Sequence, residues 1–190
     1  GIFMLTHGMR WFTKEEALYL LRYARVEHMP PPGKEEEGVQ YWSNKQIFSV
    51  ILPDQLNMVF HASSCLNCDT CKKEMCERDA YVRIIEGILE SGTIDKKAIG
   101  AFDGQIVNRI IRHYSMRRAA DFIDDLTKLS IRAIMFDGFS FGIDDEDLSK
   151  TEYAQIDEVL NGAASDVTRR IKIYEDGQLE PMPGRTVEET

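Results

Sequence analysis

No stretch of this sequence approaches the ~20 consecutive apolar residues needed to cross a bilayer, and no secretory leader opens it, so the expectation is a cytoplasmic chain with no membrane partner. There is no HExxH, no glycine-rich phosphate loop and no nucleophile elbow. The four histidines, His7, His28, His61 and His113, have no partner at ligand or triad spacing. A stand-alone hydrolase would need a catalytic pair that is missing, and no catalytic residue is assigned. Basic residues are outnumbered, 23 Lys and Arg against 32 Asp and Glu, for a net charge of −9. That balance argues against a free-standing nucleic-acid binder, since phosphate contacts need clustered cations, although a small basic spot remains compatible with it. Cysteine is scarce and confined: all four fall between Cys65 and Cys76, unlike the spread of a disulfide framework.

With 190 residues, 43% of them hydrophobic, the chain has material for one domain with a real core, alone or with an appendage. Thr13-Lys14-Glu15-Glu16 is a capping box, and Ala17, Leu18, Leu20, Leu21 and Ala24 follow at helical spacing. The run Glu35-Glu36-Glu37-Gly38 reads as a solvated loop. Residues 45–53 read as a strand covered on both faces, because Ile47, Phe48, Val50, Ile51 and Leu52 are nearly continuous. A second strand is expected near residues 56–60, and two more at 80–85 and 88–90 around Glu86-Gly87. Two amphipathic helices follow, one carrying Ile106, Val107, Ile110, Ile111 and Tyr114, the other Ala119, Phe122, Ile123, Leu126, Leu129, Ala133 and Ile134. Asp121, Asp124 and Asp125 fall on the expected solvent face of the second. Ser149-Lys150-Thr151-Glu152 is another capping box, opening a long helix with Tyr153, Ile156, Leu160, Ala163, Val167 and Tyr174 in a heptad-like stripe. That stripe wants either a following helix or this chain's own core. The sequence begins at Gly1 and ends soon after a helix start at Thr186, which reads as a piece of a longer chain.

Two constellations have chemical content. Cys65, Cys68, Cys71 and Cys76 form C-x2-C-x2-C-x4-C, a donor set for a tetrahedral zinc ion, ahead of an iron–sulfur cluster, for which the last gap is one residue too long. The bland reading is reduced thiols on a loop. Lys96 and Lys97 are adjacent on a turn that ends in Gly100, a geometry that can hold phosphate by point charge but is more commonly just solvated. The acids Asp144, Asp145, Glu146 and Asp147 lack the ligand alternation of a calcium loop and suit a helix N-terminus instead.

Several segments, in order, resemble the archaeal A-prime part of the RNA polymerase largest subunit. They are the segment 42–53, opening Trp42-Ser43-Asn44-Lys45-Gln46; the segment 91–100, containing Ile94-Asp95-Lys96-Lys97; Gly138-Phe139-Ser140-Phe141-Gly142; and Leu179-Glu180-Pro181-Met182-Pro183-Gly184-Arg185. The cysteine run before Asp79-Ala80-Tyr81 is similar to methanogen versions. The resemblance implies a pore domain at 1–143 and the beginning of a funnel domain at 144–190, lining the secondary channel. There, nucleoside triphosphates would enter, the backtracked RNA 3′ end would extrude, and a transcript-cleavage factor would dock beside the other polymerase subunits. It implies phosphate contacts for Lys96 and Lys97, and a lesser channel role for Lys45 and Gln46. The family's magnesium-binding aspartates, bridge helix and trigger loop are absent, so magnesium and nucleotidyl transfer belong to the complete polymerase. The expected fold is α+β: a small mixed sheet, packed helices and one long projecting helix. A rival from another class is an independent cysteine-rich zinc-binding interaction module.

Overall fold

A computed structural model describes residues 1–26, 28–66, 71–101 and 103–178. The chain divides into two units, Gly1–Phe139 and Ser140–Thr190.

In the first unit, helix α1 (Ile2–Thr6) leads to strand β1 (Trp11–Thr13) and helix α2 (Lys14–Leu21). The expected capping box starts α2: Thr13 Oγ1 accepts from Glu16 N at 3.4 Å, and Glu16 Oε2 accepts from Thr13 N at 2.8 Å. Ala17, Leu20 and Leu21 are buried, whereas Leu18 faces solvent. The acidic run is not a loop. Residues Lys34–Glu36 form strand β2, which turns at Glu37 and Gly38 into strand β3 (Val39–Ser43). Both turn residues have positive φ, 51° and 80°, the primed geometry that matches the twist of paired strands. A first antiparallel sheet results, in the order β1-β3-β2.

The segment expected as a strand after Trp42 is helical instead: α3 spans Asn44–Ser49. Ser43 and Gln46 form a second capping box, with Gln46 N donating to Ser43 Oγ at 3.1 Å and Ser43 N to Gln46 Oε1 at 2.9 Å. Ile47, Phe48, Ile51 and Leu52 are buried while Val50 is only half-buried, so the apolar run resolves into the one-sided spacing of a helix and the turn that ends it.

Strands β4 (Met58–His61), β5 (Tyr81–Ile85) and β6 (Ile88–Ser91) make the second sheet, antiparallel throughout. The β-structure is therefore two small antiparallel sheets, where one of mixed direction was expected; the α+β class stands. Glu86 and Gly87 supply the β5–β6 turn, again with positive φ (48° and 77°). Helices α4 (Lys96–Ile99), α5 (Gln105–His113) and α6 (Met116–Asp137) complete the unit. Phe122, Leu126 and Leu129 of α6 join Ile106 and Ile110 of α5 in the core, with Leu5, Leu20, Phe48 and Ile84. Helix α6 packs on α1, α2 and α5, and α3 packs on β6.

Of the three aspartates assigned to the solvent face of α6, Asp125 is buried. It accepts from Arg25 N at 3.1 Å and lies 3.4 Å from Arg25 Nη1, while Asp124 meets Arg25 Nη2 at 2.9 Å. The chain leaving α2 is thus tied to α6 by an anion that periodicity alone assigns to water.

In the second unit, the acidic run forms a short turn at Ile143–Asp145, where Asp145 Oδ2 accepts from Gly142 N at 2.7 Å. Helix α7 (Lys150–Glu175) begins at the expected box, Ser149 N donating to Glu152 Oε2 at 2.7 Å. Tyr153, Ile156, Leu160, Val167 and Tyr174 are all exposed. The helix expected after Gly184 as their partner, and the segment 179–186, lie outside the described residues.

Candidate functional site

The site is built around the turn that carries Lys96 and Lys97. Its backbone is clamped from three directions. Asp95 caps α4, its Oδ1 accepting from Lys97 N at 2.9 Å and its Oδ2 from Ser63 N at 2.5 Å. Thr93, Ile94 and Ala98 are fully buried, so the segment is nailed to the core on either side of Asp95. Thr93 N donates to Asp79 O at 2.8 Å, and Ile94 N to Thr6 Oγ1 at 2.9 Å.

Behind this segment lies a buried polar clasp. Lys45 Nζ donates to Thr6 O (2.6 Å), Gly92 O (2.5 Å) and Asp79 Oδ2 (2.5 Å), which uses all three ammonium protons. Asp79 also accepts from Gly8 N, Gly92 N and Thr93 Oγ1, each at 3.0 Å. Because the Thr93 hydroxyl donates to the carboxylate, its lone pair is left for His7 Nδ1 at 3.0 Å, which assigns the His7 proton to Nδ1. Burial pushes the Lys45 ammonium below its ordinary pKa, while the hydrogen bond and charge of Asp79 oppose the shift. Gly92 sits where this clasp meets β5: its φ is +92°, and a Cβ there would overlap the Val82 backbone.

Lys96 and Lys97 are exposed, and among the described residues neither has a carboxylate in ion-pair reach. In contrast to these two, Lys45 is 4% exposed and committed to the clasp. Gln46 spends its amide on Ser43 N and on Pro31 O, the latter at 3.0 Å. The structure therefore joins Lys45 to the lysine turn through Gly92 and sets Gln46 apart from it.

Of the cysteines, Cys65 and Cys76 are half-buried against the core, and Cys71 is exposed with its Sγ 3.5 Å from His61 Nε2. Cys68 lies outside the described residues. Among the described residues, no three His, Cys, Asp or Glu side chains gather as a metal site would require.

Sequence reasoning missed Thr6, His7, Asp79 and Thr93 as a unit. Each is unremarkable in its local sequence, and chain reversals bring them together, Asp79 with Thr93 over 14 residues and His7 with Thr93 over 86.

Comparison with known proteins adds the following. Residues 1–146 match the family described as RNA polymerase Rpb1, domain 3. The chain is similar to the DNA-directed RNA polymerase subunit Rpo1N of Methanocaldococcus jannaschii, 43% identical over 191 residues, covering 100% of this chain and 14% of the relative. The subunit of the same name from Methanothermobacter thermautotrophicus (strain Delta H) is 40% identical over 190 residues, covering 100% of this chain and 21% of the relative. That of Thermoplasma acidophilum is 36% identical over 191 residues, covering 100% and 22% respectively. The chain thus spans roughly a fifth or less of these relatives.

Proposed function

The chain belongs to the family of RNA polymerase Rpb1 domain 3, and from that premise we propose that it is a wall of the secondary channel of a DNA-directed RNA polymerase. In this reading the first unit is the pore and the second begins the funnel. The wall passes nucleoside triphosphates inward and the backtracked RNA 3′ end outward, and it receives a transcript-cleavage factor beside the other polymerase subunits. It holds no chemistry of its own. Nucleotidyl transfer needs carboxylates that hold magnesium on the phosphates, and those belong to the complete enzyme.

The observation that carries the proposal is the lysine turn. Two exposed ammonium groups, with no acidic partner among the described residues, stand on a rigidly clamped backbone, in a chain of net charge −9. Flexible surface lysines lose side-chain entropy and little else when they meet an anion. A fixed backbone removes part of the ordering cost of a phosphate contact. Lys45 acts behind this surface, its ammonium taken by Thr6 O, Gly92 O and Asp79, whereas Gln46, away from the turn, holds the wall through Ser43 N and Pro31 O. The cysteine loop is carried as a zinc site on its donor set of four thiols, with His61 standing beside Cys71. Among the described residues no helix is long and apolar enough to cross a membrane.

The test is Lys96→Ala/Lys97→Ala in the assembled polymerase, read by elongation and by factor-stimulated cleavage of backtracked complexes. Two partly solvated charge contacts are worth about 1 kcal/mol together, so a roughly fivefold loss in one or both activities is expected with assembly intact. Unchanged rates in both would leave the segment a scaffold and remove the lysines from the channel.

A further inference from the structure

From Lys96 to Arg118 the charge of the chain reverses. Six cations, Lys96, Lys97, Arg109, Arg112, Arg117 and Arg118, stand against a single acid, Asp103. Elsewhere in this unit Arg10 pairs with Asp137, Arg25 with the α6 aspartates and Arg83 with Glu74 and Glu90, while Arg22 and Arg132 lie over tyrosine rings. None of the six has a carboxylate at ion-pair distance among the described residues.

Helix α5 gives part of this charge a shape. Ile106 and Ile110 are buried, so the face they occupy is turned to the core. Gln105, Asn108, Arg109 and Arg112 recur at i, i+3, i+4 and i+7 and form one polar stripe on another side. That stripe, with Asp103, faces Met58 and Val59 of β4 across a cleft of about 320 Å³. Strand β4 is the edge of its sheet, and Val59 is exposed. Arg109 Nη1 lies 3.0 Å from His113 Nε2, with the imidazole nitrogen accepting, and among the described residues neither Arg109 nor Arg112 has a carboxylate at ion-pair distance.

We propose that this cleft is a binding site for single-stranded RNA, taking a phosphodiester on Arg109 and Arg112 and a nucleobase against Val59. Guanidinium groups match phosphate in a bidentate fork. Side-chain amides such as those of Gln105 and Asn108 pair with the exposed edges of unstacked bases. The apolar surface of β4 gives the base a face to cover. Helices α4 and α5 pack on each other, so the cleft continues the basic character of the lysine turn into the next element. The anion site stands on this geometry alone; the choice of RNA rests on the channel reading above. Asp103 is the one group in the cleft that opposes a phosphate.

The experiment is fluorescence anisotropy of a 5′-fluorescein-labelled oligouridylate titrated with the 190-residue chain over a range of salt concentrations. Arg109 and Arg112 are both exposed, so Arg109→Gln/Arg112→Gln leaves the fold intact, with circular dichroism as the check. Losing two phosphate contacts should flatten the slope of log K against log salt by about 1.4 for a single strand, alongside weaker binding. Asp103→Asn should tighten binding. A double arginine variant with an unchanged slope overturns the site, as does an oligouridylate that fails to bind while poly-glutamate does. The Lys96→Ala/Lys97→Ala variant separates the two readings. If only the lysine variant weakens binding, the cleft is wrong and the channel assignment survives. If only the arginine variant does, the cleft stands and the lysine assignment falls.

Discussion

Replacing Lys45 with methionine tests the clasp most directly. The side chain keeps an unbranched apolar stem, ends one heavy atom sooner and loses the ammonium. Three hydrogen bonds go, to Thr6 O, Gly92 O and Asp79 Oδ2. Breaking a buried ion pair from one side typically costs about 3–5 kcal/mol, because the remaining charge stays desolvated without its partner. The lower end applies here. The Asp79 side chain is 20% exposed, and it keeps donors from Gly8 N, Gly92 N and Thr93 Oγ1. About 3 kcal/mol is a large fraction of the 5–15 kcal/mol that holds a typical domain together. Urea unfolding followed by tryptophan fluorescence is the assay. Both tryptophans, Trp11 and Trp42, lie in the first unit, and Trp42 is buried, so the signal reports that unit alone. With a urea m-value of about 1–3 kcal/mol/M, the midpoint should fall by roughly 1–3 M. Lys96→Ala/Lys97→Ala, on exposed positions, is the control and should move stability by less than ~0.5 kcal/mol per site. A Lys45→Met cost below ~1 kcal/mol would falsify the claim that this ammonium is sealed and holds the lysine turn.

Two further outcomes are expected. Arg10 meets Asp137 through two 2.7 Å hydrogen bonds, which hold the Asp137 carboxyl below its usual pKa against the opposing effect of burial. A depressed acid adds stability above its unfolded pKa of ~3.9 and loses it as pH falls toward the folded value. Asp137→Asn should therefore cost about 0.5–1 kcal/mol at neutral pH, little for a partly exposed pair, and the loss should vanish in acid. Melting temperatures from pH 7 down to strongly acidic buffer read this; an equal penalty across the range would refute it. For the cysteine loop, reduced protein should release one zinc per chain to a colorimetric chelator after thiol modification, and Cys71→Ser should weaken retention. Metal-free reduced protein that is fully folded would leave Cys65, Cys68, Cys71 and Cys76 as plain thiols.

Local signals were read well where their chemistry is short-range. The boxes at Thr13/Glu16 and Ser149/Glu152 start helices as expected, since a cap needs only a hydroxyl and an acid three residues on. The structure shows a box of the same form at Ser43/Gln46, not identified from the sequence, ahead of an apolar run that reads as a strand by hydrophobicity alone. Strand and buried-helix segments of that length look alike by hydrophobicity, and the cap was the arbiter. Glu37-Gly38 was missed as a hairpin for a related reason: the acids of β2 have no alternation to show, because they edge a sheet covered by little else.

The sequence by itself determined the α+β class, most of the helices, the β5–β6 hairpin and the family, because capping, periodicity and ordered motifs are local or simply additive along the chain. It also placed Lys96 and Lys97 together, since they are neighbours. Tertiary structure decided which charges are available. Lys45 and Lys96 are chemically identical in the sequence, yet one is enclosed by Thr6, Asp79 and Gly92 and the other faces solvent. Asp125 is sealed by Arg25 from 100 residues away, while Arg109 and Arg112 have no acid at ion-pair distance among the described residues. Whether an ion is spent or free depends on what the fold brings within a few ångströms of it, and desolvation, which sets its energy, has no signature in the order of residues.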